Sequence, residues 1–161
     1  MLTRSHRHSR PFFEAMRDVA LFSACSDREL ARVAPLVTLL DIPPGRLLTD
    51  QGDVGLECFV IVRGETTIMR NGIPAPHPTR SDIIGELALM DHTPRSASVS
   101  TITPTRLLVL SQREFNSMRR LNIESITRLL EETAQAHRAA VQTWPTVPPP
   151  DAEPVVAGTL N

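Results

Sequence analysis

The sequence predicts an α+β fold, mainly β: a small jelly-roll β-barrel flanked by N-terminal helices and a C-terminal helix pair. Between residues 36 and 110, short β-rich runs are broken at close intervals by turn residues, which favours a barrel or jelly roll. After Ser111 the apolar residues change to helical spacing. A chain of 161 residues, 41% of them hydrophobic, suits one domain with a single core.

In chain order, residues 1–11 read as a disordered basic arm, with Arg4, Arg7, Arg10, His6 and His8 and little to bury. The His6-Arg7-His8 spacing supplies two flexible metal ligands without a third, which is weak evidence for a site. The folded domain is placed at residues 12–142. A helix from Pro11 to Phe22 and another from Asp27 to Pro35 should pack under the sheet, the second started by Ser26 and Glu29 at capping-box spacing. Strands are expected at Leu36 to Ile42, Arg46 to Thr49, Cys58 to Val62, Glu65 to Arg70, Ser96 to Ile102 and Arg106 to Leu110. Between Asn71 and Pro78 the alternate prolines Pro74, Pro76 and Pro78 cannot donate to a ladder, so this stretch is an edge strand or a loop. Ser111 caps a helix through Arg120, and Asn122 starts another. On that last helix Ile123, Ile126, Leu130, His137 and Val141 form one apolar face with a polar interruption at His137. Residues 143–161, with Pro145, Pro148, Pro149, Pro150 and Pro154, read as a proline-rich disordered tail. Trp144 lies just past the helix, placed either to stack on a ring or to seal the end of the core.

Composition narrows the function classes. A formal net charge of −1 gives no global attraction to nucleic acid. Cys25 and Cys58 have no metal-ligand spacing, and no run approaches the roughly 20 apolar residues that cross a bilayer, so a cytoplasmic protein without a membrane span is expected. His77, His92 and His137 are scattered, and neither a G-x-S-x-G elbow nor an H-E-x-x-H helix occurs, so no metal, cofactor or catalytic role is assigned and the chain is not expected to be an enzyme.

The informative stretch is Ile84 to Val99. Glu86 when ionised only accepts hydrogen bonds and suits a sugar hydroxyl, whereas Arg95 carries a permanently charged fork of donors that suits phosphate oxygens. Leu87-Ala88-Leu89-Met90 between them is apolar and helix-favouring, giving one helical turn whose first amides are free to meet an anion, and Pro94 forces an extended exit. The competing reading is a surface ion pair between Glu86 and Arg95, worth about 0–1 kcal/mol.

Ile84-Gly85-Glu86-Leu87-Ala88-Leu89 followed by Pro94-Arg95-Ser96-Ala97-Ser98-Val99 closely resembles the phosphate-binding cassette of the cyclic nucleotide-binding domain family. Pro44-Gly45, Gln51-Gly52-Asp53-Val54-Gly55 and Phe59 to Glu65 resemble its turn, strand and hairpin glycines, so the likeness spans roughly residues 20 to 142. The pattern is departed from at Leu56, where an aspartate is usual, at Ser81, where a glycine is usual, and at Ile84, where Phe is common. The resemblance implies that Glu86 holds the ribose 2′-hydroxyl, that Arg95 holds the cyclic phosphate, and that backbone amides near Ala88 and Ser96 complete the cradle. Gly85, Leu87 and Ala97 fall within the same implied site. It further implies that the C-terminal helix closes over the base, with Arg138, Ala139 and Val141 nearby, and pairs with its mate in dimeric members. Ser96 could serve either nucleotide, so the implied ligand is cAMP or cGMP. With no recognition-helix pattern after the long helix, sequence-specific DNA binding is not expected. The expected function is a stand-alone sensor that signals to a separate, unknown effector protein through its C-terminal helix. The alternative is a nucleotide-independent protein-interaction module with a degenerate cassette.

Overall fold

Two antiparallel sheets share one layer of side chains, and helices cover the other face of the larger sheet. The computed structural model describes residues 3–4, 9–75 and 83–146. Strand β1 (Thr3–Arg4) precedes helices α1 (Arg10–Asp18), α2 (Ala20–Ser23) and α3 (Asp27–Val33), and a 3₁₀ turn over Ala34–Leu36 leads into the sheets. Strands β2 (Thr38–Ile42), β3 (Leu47–Thr49), β4 (Glu57–Arg63), β5 (Thr66–Arg70), β6 (Ile73–Pro74) and β7 (Ile83–Ile84) follow. Helix α4 (Glu86–Asp91) then separates them from β8 (Ser98–Thr101) and β9 (Thr105–Ser111), and α5 (Gln112–Arg120) and α6 (Glu124–Gln142) complete the domain. The larger sheet has the order β1-β2-β9-β4-β7, the smaller β3-β8-β5-β6.

Strand alternation divides the core in two. On β4 and β9, Cys58, Val60, Leu108 and Leu110 pack with Phe12, Met16, Phe22, Leu30, Phe115 and Ile126 from the helices. Their neighbours Phe59 and Leu107 turn the other way and meet Val99 of the smaller sheet, with Ile42 and Ile84 beside them. Burial on both faces explains why Cys58 to Val62 and Leu107 to Leu110 read as unbroken apolar runs rather than alternating ones. The expected jelly roll is therefore present as an open sandwich, and no closed barrel forms among the described residues. Pro74 occupies β6 at a sheet edge, where a missing N–H is tolerated.

The boundaries differ from the sequence expectation where tertiary packing overrides local pattern. The single helix foreseen from Pro11 to Phe22 breaks at Val19, which is extended (φ −93°, ψ 139°) and 1% exposed, and the break directs Leu21 and Phe22 into the core. Within the arm foreseen as structureless, Thr3 and Arg4 pair with Asp41 and Leu40, and α1 begins at Arg10. Asn122, foreseen as the start of the last helix, instead takes a left-handed conformation (φ 53°) between α5 and α6, which a short polar side chain tolerates. Ser26–Glu29 and Ser111–Glu114 both close capping boxes, satisfying orphan amides at the starts of α3 and α5. The remaining arm residues, residues 76–82 with Pro76, His77, Pro78 and Ser81, and residues 147–161 of the proline-rich tail lie outside the described residues.

Candidate functional site

Helix α4 begins immediately after Gly85, whose φ of +86° suits a residue without a Cβ, and ends at His92, also left-handed at φ 52°. These two reversals set Glu86 on one side of a short turn and return the chain to Arg95 on the other. Arg95 is anchored at its backbone, its N–H donating to Asp53 O at 2.8 Å and its carbonyl accepting from Gly52 N at 2.9 Å. Its guanidinium donates through Nη2 to Glu57 O at 2.7 Å and through Nη1 to Gly85 O at 3.2 Å. Gly55 and Gly85 leave room for it: a Cβ at Gly55 would lie 3.1 Å from Arg95 Cζ and 2.5 Å from the Cβ of Ala88.

Both charged residues are nearly withdrawn from solvent, Glu86 at 1% exposure and Arg95 at 8%. They do not form an ion pair with each other, so the surface-pair reading fails on burial and on partners. Among the described residues, the partner of the Glu86 carboxylate is Nδ1 of His137 on α6. Burial lowers the pKa of Arg95, opposed by the nearby Cys58, Glu57 and Glu86, and an arginine so placed stays charged at any working pH. Burial also drives the Cys58 thiol upward, with Glu86 adding to the rise, so this cysteine is an inert core residue.

The Glu86 and Arg95 side chains border one cavity holding about 690 Å³ of empty space, part of it open to solvent. Its walls are largely apolar, from Ile68, Ile83, Ile84, Leu87, Ala88 and Val99, with Ala140 and Val141 contributed by α6 and Trp144 just beyond it. The segment after Arg95 is held by its carbonyls: Ser96 O accepts from Arg70 Nη1 at 2.5 Å and Ala97 O from Thr49 Oγ1 at 2.9 Å. Among the described residues no cluster of His, Cys, Asp or Glu could hold a metal ion, and no helix is long and apolar enough to cross a membrane.

Of the residues singled out in the sequence, Gly85, Glu86, Leu87, Ala88, Arg95, Ser96 and Ala97 all line this cavity. Arg138 does not. Its guanidinium forms a two-pronged pair with Asp91 at the far end of α4, Nε to Oδ2 at 2.8 Å and Nη2 to Oδ1 at 2.5 Å. The reason is helical geometry: one step along α6 rotates a side chain by about 100°, so His137 faces the cavity while its neighbour faces Asp91. Val141 lines the cavity as foreseen, whereas Ala140 takes the place given to Ala139. Sequence reasoning missed the partner of His137, although its polar interruption of an apolar stripe was a visible signal. Thr49 and Ile68 reach the cavity by sheet pairing and left no such signal.

The comparisons with known proteins point one way. The family model described as the cyclic nucleotide-binding domain matches residues 39–122. The cAMP-dependent protein kinase regulatory subunit of Aspergillus niger is 31% identical over 112 residues, covering 68% of this chain and 27% of that protein. The chain thus spans about a quarter of that relative's length. Among solved structures, a cAMP-binding acyltransferase from Mycobacterium smegmatis superposes with a TM-score of 0.62 at 26% identity, covering 79% of this chain and 40% of the other. The regulatory subunit of a cAMP-independent protein kinase A from Trypanosoma brucei superposes at 0.65 with 17% identity, covering 78% and 45%, a likeness of fold alone.

Proposed function

The chain belongs to the cyclic nucleotide-binding domain family, and from that premise we propose that its cavity binds a 3′,5′-cyclic purine nucleotide, cAMP in the first place and cGMP in the second. The observation that carries this reading is the placement of Glu86 and Arg95: a buried acceptor and a buried cation border the same cavity without neutralising each other. Arg95 would hold the cyclic phosphate, adding a charge-assisted contact worth about 1.5–3 kcal/mol, and Glu86 would accept from the ribose 2′-hydroxyl. The apolar walls would take the base, with Trp144 at the open end. Gly85, Leu87, Ala88, Ser96 and Ala97 would form the backbone cradle. The function is binding rather than catalysis.

The output would be a displacement of α6, read by a separate effector protein. The kinase regulatory relatives make a kinase the first class to test, and pairing of α6 with a second copy is the homodimer arrangement to examine. A ligand shifts α6 only through different affinities for its two positions.

A second reading, a nucleotide-independent interaction module, is favoured by one observation: Glu86 already has a protein partner in His137, and Arg95 has two backbone carbonyls. Calorimetric titration with cAMP, cGMP and linear AMP separates the two. The sensor reading requires saturable heat with a cyclic nucleotide and a stabilisation of about 2.7 kcal/mol at 100 times the dissociation constant. Absence of heat with every nucleotide supports the interaction module instead.

A further inference from the structure

We propose that His137 makes the position of α6 depend on the sugar of the ligand: it occupies the Glu86 carboxylate in the empty protein, and only a ligand with a free 2′-hydroxyl displaces it. This rests on the nucleotide reading of the cavity. Glu86 is 1% exposed, and a carboxylate so buried needs a donor. Nδ1 of His137 is that donor, reaching Oε1 from α6. A ribose hydroxyl that approaches Oε1 along the direction taken by Nδ1 competes with the imidazole for that acceptor site. The His137 side chain is 24% exposed, so it has a way out toward solvent when displaced.

Helix α6 converts that exchange into movement. His137 and Arg138 are consecutive, and they fasten α6 to opposite ends of α4, at Glu86 and at Asp91. Losing the first contact frees the Glu86 end of this attachment, while the Arg138–Asp91 pair, the buried Ile126 and Leu130 and the Trp144 Nε1–Ile73 O bond still hold α6, so the part of the helix around His137 shifts within those ties. Ala140, Val141 and Trp144 lie beyond His137 and line the same cavity, so such a shift of α6 changes the wall that faces the base. A 2′-deoxy ligand still offers a phosphate to Arg95 but no donor to Glu86, and it leaves the His137 contact in place.

The test is calorimetry of cAMP and 2′-deoxy-cAMP on the wild-type chain and on His137→Leu, which keeps bulk and removes the donor. Loss of the competing hydrogen bond should tighten cAMP binding about tenfold in His137→Leu and leave 2′-deoxy-cAMP affinity within about twofold of the wild type. His137→Gln, which retains a donor, should gain less than His137→Leu and serves if the leucine variant does not fold. Equal cAMP affinity in the wild type and in the folded variant, or an equal gain in 2′-deoxy-cAMP affinity, overturns the role of His137 while the nucleotide reading stands. No heat with either ligand in any of the proteins overturns the nucleotide reading, and the role of His137 with it.

Discussion

The α-carbon of Gly85 lies so close to the guanidinium of Arg95 that a Cβ there would come within 2.3 Å of Nη1. Glu57 O is also near, at 3.1 Å from the same point, and it is the carbonyl that Nη2 binds. The buried cation is therefore seated against bare backbone on one side, and Gly55 supplies a similar surface on another. What looks like loop flexibility in the sequence is space for one side chain.

Gly85→Ala should lower stability by about 1–2 kcal/mol, because its φ of +86° is unfavourable for any residue with a Cβ. It should also move the Arg95 guanidinium and sharply weaken nucleotide binding. Gly55→Ala meets the Cβ of Ala88 at 2.5 Å, a point that cannot swing away, so α4 itself must shift at a cost of about 1–3 kcal/mol. Urea unfolding with calorimetry on the refolded variants checks both, and unchanged affinity in Gly85→Ala would show that Arg95 is not held from this side.

Arg95→Gln should raise the nucleotide dissociation constant about ten- to a hundredfold, the equivalent of one charge-assisted phosphate contact. Glu86→Gln should weaken binding less, since the amide oxygen still accepts one hydrogen bond from a ribose hydroxyl. Arg95→Lys should not restore wild-type affinity, because a single ammonium cannot serve Glu57 O, Gly85 O and a phosphate with the geometry of the planar fork. Titration calorimetry of the three variants ranks them, and greater loss in Glu86→Gln than in Arg95→Gln would contradict the assigned roles.

Much of this site was legible because Gly85 to Ala97 is one continuous stretch, and local chain geometry brings its two ends to the same hollow. The capping boxes were legible or recoverable for the same reason, since Ser26–Glu29 and Ser111–Glu114 act over a single turn. Strands β1, β6 and β7 carry two residues each, too few to show a period, and exist only through partners distant in the chain. The seat of Arg95 combines Gly55, Glu57 and Gly85 through folding alone. His137 and Arg138 show the finest limit: both were visible on the last helix, but which of two neighbours enters the cavity is set by a rotation that apolar spacing does not resolve to one residue.

Acid should remove a defined part of the stability through Asp41, which faces Arg106 across β2 and β9 and accepts from its Nε at 2.8 Å and Nη2 at 3.1 Å. The hydrogen bonds from Arg106 hold the Asp41 carboxyl below its ordinary value near 3.9, so the folded state binds its proton less readily than the unfolded state. The contribution is complete above about pH 4 and disappears as pH falls through the lower folded value. With the Asp41 side chain 40% exposed, it should amount to no more than about 1 kcal/mol. Asp41→Asn should be slightly less stable at pH 7 and should lose less stability than the wild type between pH 5 and pH 2, as followed by urea midpoints; parallel losses in the two proteins would place the acid sensitivity elsewhere.

Trp144 gives the cavity its own reporter, being the sole tryptophan of the chain and part of the wall. Its Nε1 donates to Ile73 O at 3.1 Å, tying the end of α6 to β6. Two roles are compatible with that position, stacking on a bound purine and closing the end of the core, and two substitutions separate them. Trp144→Phe keeps an aromatic face and loses the N–H, so it should cost about 1 kcal/mol of stability with little change in nucleotide affinity. Trp144→Leu removes the ring and should weaken binding about two- to tenfold, the worth of one aromatic pair at about 0.5–1.5 kcal/mol. In the wild type, tryptophan emission should change with the same midpoint as the calorimetric titration. Unaltered affinity in Trp144→Leu would assign the ring to the core alone, with the emission change then reporting the movement of α6 rather than contact with the base.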